Sequence, residues 1–194
     1  MRIIGGSRKG RRLVEWEQTG IRPMRDFVRS ALFSILSDFV PESTFLDLCC
    51  GTGSVGLEAL SRGAASCTFV DLSPGACGIV RRNLEALDLL SEGRVMQGDA
   101  LVMMDEFRRR AKQFNIVFIG PPYYQELVPS MLHALADGRL LSDDFVVVAE
   151  IHHKESAGEA YGVLERVRVR RYGDNQLLFY RRRDGRSMSK SEEG

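Results

Sequence analysis

The sequence predicts an α/β protein built on an open, mostly parallel sheet with helices on both faces. Five short, almost wholly apolar segments alternate with segments whose apolar residues recur at helical spacing. Glycine, proline or an acidic residue stands at or beside the end of each apolar segment, as expected where buried strands end. Near the C-terminus, residues 163–172 and 176–180 flank the turn residues Tyr-Gly-Asp-Asn, which favour an antiparallel hairpin that closes the sheet.

The individual elements follow from these patterns in chain order. A Gly-rich turn between residues 2–4 and 11–14 predicts a short N-terminal β-hairpin. The predicted strands of the parallel part are 44–48, 67–71, 94–97, 116–119 and 145–151, and the predicted helices are 25–36, 54–62, 74–90, 101–112 and 125–136.

Length and composition describe an ordinary globular protein. The chain has 194 residues, of which 44% are hydrophobic, and its formal net charge is +1. A chain of this length can bury a sizeable core without disulfides or a structural metal, and no metal is expected. The four cysteines form no C-x-x-C pair, which indicates free thiols. No apolar run approaches the ~20 residues that a membrane span needs, and the N-terminus lacks a signal region, so we expect a cytoplasmic protein.

The near-zero net charge hides a segregation of charge along the chain. Residues 1–25 carry a balance of +5, residues 26–165 a balance of −9, and residues 166–194 a balance of +5. One interpretation is a solvated surface; the other is that the two basic ends converge to bind a polyanion such as RNA. The basic clusters concerned are Arg8 to Arg12, Arg166 to Arg171 and Arg181 to Arg183.

The first predicted strand leads into a glycine-rich turn, Gly51-x-Gly53-x-x-Gly56, which also occurs in dinucleotide-binding proteins. Asp47 lies just before these glycines, where its carboxylate would repel a phosphate but hold an ammonium group. Asp71, at the end of the second strand, is placed to accept hydrogen bonds from ribose hydroxyls. Asp99, followed by Ala100, can meet an adenine amino group. A ligand with ribose, adenine and a cationic tail but no phosphate fits this set, and S-adenosylmethionine has those parts.

A second motif, Gly120-Pro121-Pro122-Tyr123, ends the fourth strand. Two prolines fix the backbone, so the Pro121 carbonyl can accept a hydrogen bond from an exocyclic amine while the Tyr123 ring supports a planar base. This arrangement suits N-methylation of a base. The alternative is a plain loop after a strand.

Taken together, the motifs resemble those of class I S-adenosylmethionine-dependent methyltransferases, and within them the RsmD-type bacterial enzymes. The resemblance extends from residue 1 to about 183. It rests on residues 1–11 (MRIIGGSRKGR), 21–29 (IRPMRDFVR), 45–53 (FLDLCCGTG), 56–64 (GLEALSRGA), 69–71 (FVD), 98–100 (GDA), 121–123 (PPY) and 172–174 (YGD).

This resemblance implies methylation of the N2 amine of a guanine in small-subunit ribosomal RNA, by a monomer with a seven-stranded sheet. It implies a basic N-terminal hairpin extension over 1–24 that contacts RNA, a methyltransferase domain over 25–183 and a disordered tail over 184–194. The expected cofactor residues are Asp47, Cys49, Gly51, Thr52, Gly53, Asp71, Leu72, Asp99 and Ala100; the expected catalytic residues are Gly120, Pro121, Pro122 and Tyr123; and the expected RNA contacts are Arg8, Lys9, Arg11, Arg12 and Arg22.

One position departs from the family pattern. An aspartate usually opens the Pro-Pro-Tyr motif, whereas this chain has Gly120. Losing one positioned acceptor would cost about 10²–10³ in rate, by analogy with a lost oxyanion donor. The alternatives are therefore a slow enzyme, an enzyme that borrows an acid such as Glu150, an RNA-binding protein without turnover, or methylation of another amine such as DNA adenine or protein glutamine.

Overall fold

A computed structural model describes residues 1–14 and 24–183. Its centre is one eight-stranded sheet with the strand order β3-β2-β1-β4-β5-β8-β7-β6. In chain order the elements are α1 (Asp26–Ile35), β1 (Thr44–Leu48), α2 (Ser54–Ser61), β2 (Ser66–Asp71), α3 (Pro74–Ala86), β3 (Gly93–Gln97), α4 (Ala100–Arg109), β4 (Phe114–Ile119), α5 (Leu127–Leu135), β5 (Leu141–His152), β6 (Ala160–Tyr161), β7 (Leu164–Tyr172) and β8 (Asn175–Arg182).

The predicted doubly wound sheet is confirmed. Strands β1 to β5 pair in parallel, and β8 joins β5 in antiparallel orientation. Helices α1, α2 and α3 cover one face of the sheet and contribute to one buried apolar cluster, whereas α4 and α5 cover the other face and contribute to a second. Because both faces are covered, the central strands are apolar on both sides, which is why they read as continuous apolar segments.

The predicted seven strands are one too few. The additional strand is β6, whose two residues pair with Leu164 and Glu165 at the edge of the sheet. A two-residue strand carries no alternation of apolar and polar residues, so the sequence pattern does not reveal it. The predicted closing hairpin is present as β7 and β8, joined by a two-residue turn in which Gly173 has a φ of 65°.

Helix α3 ends four residues earlier than the sequence predicts. Asp88 adopts a left-handed φ of 54°, the Asp88 N–H donates to Glu85 O at 3.1 Å, and the Leu89 N–H donates to Leu84 O at 2.9 Å. These two bonds form a Schellman motif, which closes the last turn of a helix. Leu87 and Leu89 are nevertheless buried, so their apolar spacing extends the helical pattern beyond the helix itself.

The N-terminal segment doubles back as the predicted short hairpin, with one antiparallel bridge between Arg2 and Arg12. Buried Glu58 of α2 holds it to the domain by accepting hydrogen bonds from the Ile4 and Gly5 N–H groups at 2.8 and 2.7 Å. The Glu58 carboxylate also pairs with Arg62 at 2.8 Å. These bonds give the buried carboxylate the partners it needs.

Two predictions concern residues outside the described part of the chain: the RNA contact by Arg22 and the tail over 184–194. Within the described residues, no helix combines the length and the apolar character that a membrane crossing requires.

Candidate active site

The residues predicted to bind the cofactor and those of the Pro-Pro-Tyr motif lie at one edge of the sheet, where the parallel strands have their carboxyl ends. Ligands bind at this edge in open α/β sheets. The loops after β1, β2 and β3 form one half of the edge, and the loops after β4 and β5 form the other half.

The loop from β1 to α2 is a tight turn made of unusual backbone conformations. Cys49, Gly51 and Gly53 have φ values of 58°, 53° and 73°. A Cβ added at Gly53 would lie 2.8 Å from Val80 Cγ2, and one at Gly56 would lie 2.4 Å from Phe69 Cε1. Glycine is therefore required at positions 53 and 56 for the loop and α2 to pack on α3 and β2.

Asp71 ties this loop to the loop after β2. Its Oδ2 accepts a hydrogen bond from the Gly51 N–H at 2.8 Å, and its Oδ1 accepts one from the Ser73 N–H at 2.9 Å. A carboxylate has about four acceptor positions, so each oxygen keeps a lone pair for a ligand. Leu72, next to it, exposes 69% of its surface at the same edge.

Asp47 lies beneath the loop and does not face the open edge. Its side chain is buried, and its Oδ2 accepts a hydrogen bond from the Gly56 N–H at 2.9 Å. Loss of hydration on burial raises the pKa of Asp47 to about 8, and the nearby Asp71 adds to the increase. The observed contact of Asp47 is thus with the glycine-rich turn, and its predicted contact with an ammonium group stays a prediction.

Asp99 is the N-cap of α4. Its Oδ1 accepts hydrogen bonds from the Leu101 and Val102 N–H groups at 3.0 and 3.1 Å, which stabilises the helix start. Ala100 follows as a buried residue in the first turn. Both bonds to Asp99 use the same oxygen, so the cap holds the carboxylate at the edge in a fixed orientation.

The pKa of the Cys49 thiol reflects the acidic side chains in this half of the edge. Burial raises the pKa of the Cys49 thiol to about 12, and Asp71, Asp47 and Asp99 all add to the increase. Acidic side chains at the ends of three strands therefore all disfavour ionisation of the Cys49 thiol. A thiol with so high a pKa is a poor nucleophile, so the environment of Cys49 does not favour covalent catalysis by this residue.

The Pro-Pro-Tyr motif forms the other half of the edge. The Gly120 N–H donates to Leu48 O at 3.1 Å, Pro121 is buried and Pro122 is exposed. A cavity of about 350 Å³ opens beside the motif. Its lining includes Pro121, Pro122, Tyr123, Leu127, Glu150 and Lys154.

Glu150 of β5 holds Tyr123 in place. The Tyr123 hydroxyl donates to Glu150 Oε1 at 3.0 Å, and the Asn175 side-chain amide donates to the same oxygen. Glu150 and Asn175 are both mostly buried. The sequence pattern suggests Glu150 only as a substitute acid and does not reveal Asn175, because their pairing depends on the antiparallel register of β5 and β8.

Gly120 lies close to a buried aromatic ring. A Cβ at this position would lie 2.8 Å from Phe118 Cε1. The side chain that the family pattern would supply therefore has no ready space, and the Phe118 ring, which is 3% exposed, must move to admit one. No residue of the sequence pattern signals this contact.

His152 packs against the two tyrosines that line the cavity. The His152 ring lies 5.7 Å from the Tyr123 ring and 5.1 Å from the Tyr124 ring, centroid to centroid. His152, His153 and Asp174 also bring possible ligand atoms within 4.8 Å of one another. The His152 ring also packs on the His153 ring, with centroids 4.4 Å apart.

The predicted RNA contacts of the N-terminal hairpin lie elsewhere. Arg8 Nε donates to Leu87 O at 2.6 Å, and the Arg11 guanidinium donates to Ala86 O. Both arginines thus bind the carboxyl end of α3, which lies at the edge of the sheet opposite the site, and their charge stabilises that helix end. Lys9 and Arg12 are exposed. The turn of the hairpin and the carboxyl end of β7 thus lie at opposite edges of the sheet, and the convergence of the two basic ends on RNA stays a prediction.

Comparison with known proteins agrees with this geometry. The family described as "Conserved hypothetical protein 95" matches residues 1–181. The chain is 33% identical to "Putative rRNA methyltransferase YlbH" of Bacillus subtilis over 94% of this chain and 100% of that protein. It is 33% identical to "Ribosomal RNA small subunit methyltransferase D" of Escherichia coli over 77% of this chain and 74% of that protein.

A solved structure shows the same fold. "Putative methyltransferase yhhF from Escherichia coli" superimposes with a TM-score of 0.82 at 29% identity and covers 94% of this chain and 97% of that one. The sheet order, the acid-lined edge and the sequence match agree with one another. The chain therefore belongs to the family described as Conserved hypothetical protein 95, that of the RsmD-type methyltransferases.

Proposed function

We propose that the protein transfers a methyl group from S-adenosylmethionine to the N2 amine of a guanine in small-subunit ribosomal RNA. The observation that carries the proposal is the juxtaposition of a carboxylate-lined edge with the Pro-Pro-Tyr corner and its cavity of about 350 Å³. The curated relatives are named for ribosomal RNA methylation, and one is named for the small subunit.

The carboxylate-lined half of the edge suits a cationic ligand. Asp71 and Asp99 both raise the pKa of Cys49, and the same negative potential would attract a sulfonium and an ammonium group while it repels phosphates. Bound S-adenosylmethionine would supply an electrophilic methyl group. Asp71 would accept hydrogen bonds from its ribose hydroxyls, Asp99 Oδ2 would meet its adenine amino group, and exposed Leu72 would cover the adenine ring.

The glycine-rich loop would hold the methionine part of the ligand. Cys49 and Thr52 pack around this turn, and its left-handed residues, Gly51 and Gly53, bring the backbone close to the edge. Ala100 leaves room beside the adenine. Because the acids and the loop are held by hydrogen bonds before any ligand arrives, binding would require little rearrangement.

The Pro-Pro-Tyr corner would orient the guanine. The Pro121 carbonyl would accept a hydrogen bond from the N2 amine, Pro122 fixes the backbone, and Tyr123, held by Glu150 at 3.0 Å, would support the ring of the base. Gly120 offers no side-chain acceptor, so the chain relies on orientation for its rate. Glu150 acts here as a positioning residue through Tyr123.

The finer parts of the expected setting belong to this proposal. Lys9 and Arg12, with Arg8 and Arg11, would contact RNA remote from the reacting base. Arg22 would contact RNA as well, and residues 1–24 would form the RNA-binding extension. We further propose that the enzyme acts as a monomer in the cytoplasm, where ribosomal RNA and assembling small subunits are available.

The test is transfer of a tritiated methyl group into undermethylated small-subunit RNA or particles, followed by nucleoside analysis. We expect N2-methylguanosine, a large loss with Tyr123→Ala, and a smaller loss with Tyr123→Phe, which keeps the ring but not the hydrogen bond to Glu150. If S-adenosylmethionine binds and neither form of RNA accepts label, the enzymatic proposal fails and an RNA-binding protein without turnover remains. Label in DNA adenine or protein glutamine would likewise refute the guanine assignment.

A further inference from the structure

An aromatic pair, made of exposed Phe27 and partly buried Tyr172, lies beside the candidate active site and takes no part in the function described above. Phe27, in the first turn of α1, exposes 71% of its surface, although it is a large apolar residue. Its ring meets Tyr172 edge to face, with centroids 5.7 Å apart and planes at 82°. An aromatic pair of this kind offers ring faces to a partner.

The pair lies at the same edge of the sheet as the Pro-Pro-Tyr corner. Tyr172, the last residue of β7, is opposite Asn175 of β8, and Asn175 is opposite His152 of β5. The Asn175 amide in turn bonds Glu150, which holds Tyr123. Three strand spacings of about 4.8 Å separate β7 from β4, whose end carries the motif, so the aromatic pair stands roughly 14 Å to the side of the corner.

Two arginines continue the same surface along β7. Residues directly opposite each other in an antiparallel pair point to the same face of the sheet. Arg168 is opposite Phe179 and Arg170 is opposite Leu177, both of which belong to the core on the α1 face. Arg168, Arg170 and Tyr172 therefore form a row on the face that carries α1 and Phe27.

The charges around this row favour an anionic partner. Among the described residues, neither Arg168 nor Arg170 has a carboxylate within ion-pair distance, whereas Arg166 pairs with Glu159 at 2.8 Å. Of the two acids nearest the aromatic pair in the sequence, Asp26 pairs with Arg29 at 3.1 Å, and Asp174 Oδ1 lies 3.7 Å from His153 Nδ1, which is an ionic partner only when protonated. Unpaired cations beside exposed aromatic rings are the features that bind single-stranded nucleic acid.

We propose that Phe27 and Tyr172 form a stacking platform for an unpaired nucleotide of the RNA next to the target guanine, with Arg168 and Arg170 bound to the flanking phosphates. The inference rests on the proposed function and adds a surface to it. Such a platform would keep the neighbouring nucleotide stacked while the target base occupies the cavity beside Tyr123, which offsets part of the unstacking that access to a base requires.

The test measures binding of the full chain to two fluorescent 12-nucleotide RNAs, oligoadenosine and an abasic strand of equal charge. We expect Phe27→Ala to weaken binding of oligoadenosine about 5- to 150-fold, the range for loss of one stacked base, and to leave the abasic strand unaffected. Phe27→Tyr should restore binding. Val169→Ala, which shortens a partly exposed apolar side chain on the opposite face of β7, should change neither.

The arginines should affect both strands. Arg168→Ala with Arg170→Ala should weaken both probes and reduce the slope of log affinity against log salt by about 0.7 for each phosphate that the protein no longer binds. Equal binding of oligoadenosine by wild type and Phe27→Ala would overturn the platform. So would normal RNA binding combined with lost methylation of assembled particles only, because that result assigns the pair to a ribosomal protein.

The two proposals fail in different ways. If the wild type methylates guanine and Phe27→Ala does so with unchanged KM and kcat, the platform alone is wrong. If the wild type methylates no RNA, the proposed function is wrong whatever the binding measurements show. A rise in KM for RNA with kcat and S-adenosylmethionine affinity preserved is the result that supports the platform.

Discussion

Replacement of Gly120 by alanine tests the contact between Gly120 and the Phe118 ring. The added Cβ would lie 2.8 Å from Phe118 Cε1, so the ring must move by about 0.6 Å to reach the 3.4 Å of ordinary contact. Overpacking of this kind costs about 1–3 kcal/mol. Replacing glycine by alanine where φ is not positive stabilises the folded state by about 0.4–1 kcal/mol, because the unfolded chain then has less conformational entropy to lose. The overpacking is the larger effect, so we expect a net loss of roughly 0.5–2 kcal/mol.

Urea or thermal unfolding measures this loss. For a chain of this size it corresponds to a fall in Tm of roughly 1–8 °C. Gly78→Ala is the matched control, because a Cβ at this position in α3 meets nothing within 4 Å, and we expect a gain of about 0.5–1 kcal/mol from helix propensity. In a Phe118→Leu background the penalty of Gly120→Ala should shrink or reverse. An equal penalty in both backgrounds, or a stabilised Gly120→Ala single variant, would refute the reasoning.

The same pair decides how the missing acid should be tested. Gly120→Asp must displace the ring before its carboxylate can reach a substrate amine. We therefore expect a larger gain in methyl transfer, up to about 10²–10³, when Gly120→Asp is combined with Phe118→Leu than when it is made alone. Gly120→Asn in the same background separates the charge of the side chain from its size. No gain in either background would show that the site works without the acid.

Three further predictions concern other residues. Burial raises the pKa of Asp47 to about 8 from 3.8, so the folded state holds a proton that the unfolded state releases. Wild type should therefore lose stability relative to Asp47→Asn between about pH 4 and 8, by at most about 1.4 kcal/mol per pH unit. An equal dependence of the urea-unfolding free energy on pH in the two proteins would contradict this. Glu150→Gln, which keeps an acceptor oxygen, should retain methyl transfer within about tenfold, whereas Glu150→Ala should not. An equal loss of activity in both variants would show that the negative charge of Glu150 matters, in addition to its hydrogen bonds to Tyr123 and Asn175. Gly6→Ala should destabilise the protein by about 1–3 kcal/mol more than Gly10→Ala in thermal unfolding. Both glycines have a positive φ, but only a Cβ at Gly6 would meet Ser61 O, at 1.8 Å. Similar losses would show that the N-terminal hairpin is not packed against α2 at this point.

Much of the candidate site can be predicted from short segments of the sequence. Asp71, Asp99 and the glycines at 51 and 53 stand at strand ends, and the carboxyl ends of parallel strands share one edge, so their convergence follows once the alternating pattern is recognised. The positive φ values at Gly51 and Gly53 are likewise local requirements of a tight turn. The closing hairpin was predictable because its turn residues and flanking strands are adjacent in the chain.

Other features depend on which distant residues meet. The family resemblance predicts that Arg8 and Arg11 contact RNA, and the structure shows that both also donate hydrogen bonds to carbonyls at the end of α3. A basic residue has the same sequence signature whether it caps a helix or faces a phosphate. Only the path of the N-terminal hairpin across α1, α2 and α3 distinguishes the two roles.

The sequence by itself thus determined the α/β order, the acid-lined edge and the family of the protein, because apolar periodicity and short motifs are local properties of the chain. The tertiary structure alone decided that Asn175 and Tyr123 share Glu150, that the Phe118 ring fills the space beside Gly120, and that Phe27 meets Tyr172. The physical reason is that the partner of a side chain across a sheet is set by strand register and helix docking, which arise from the packing of the whole chain.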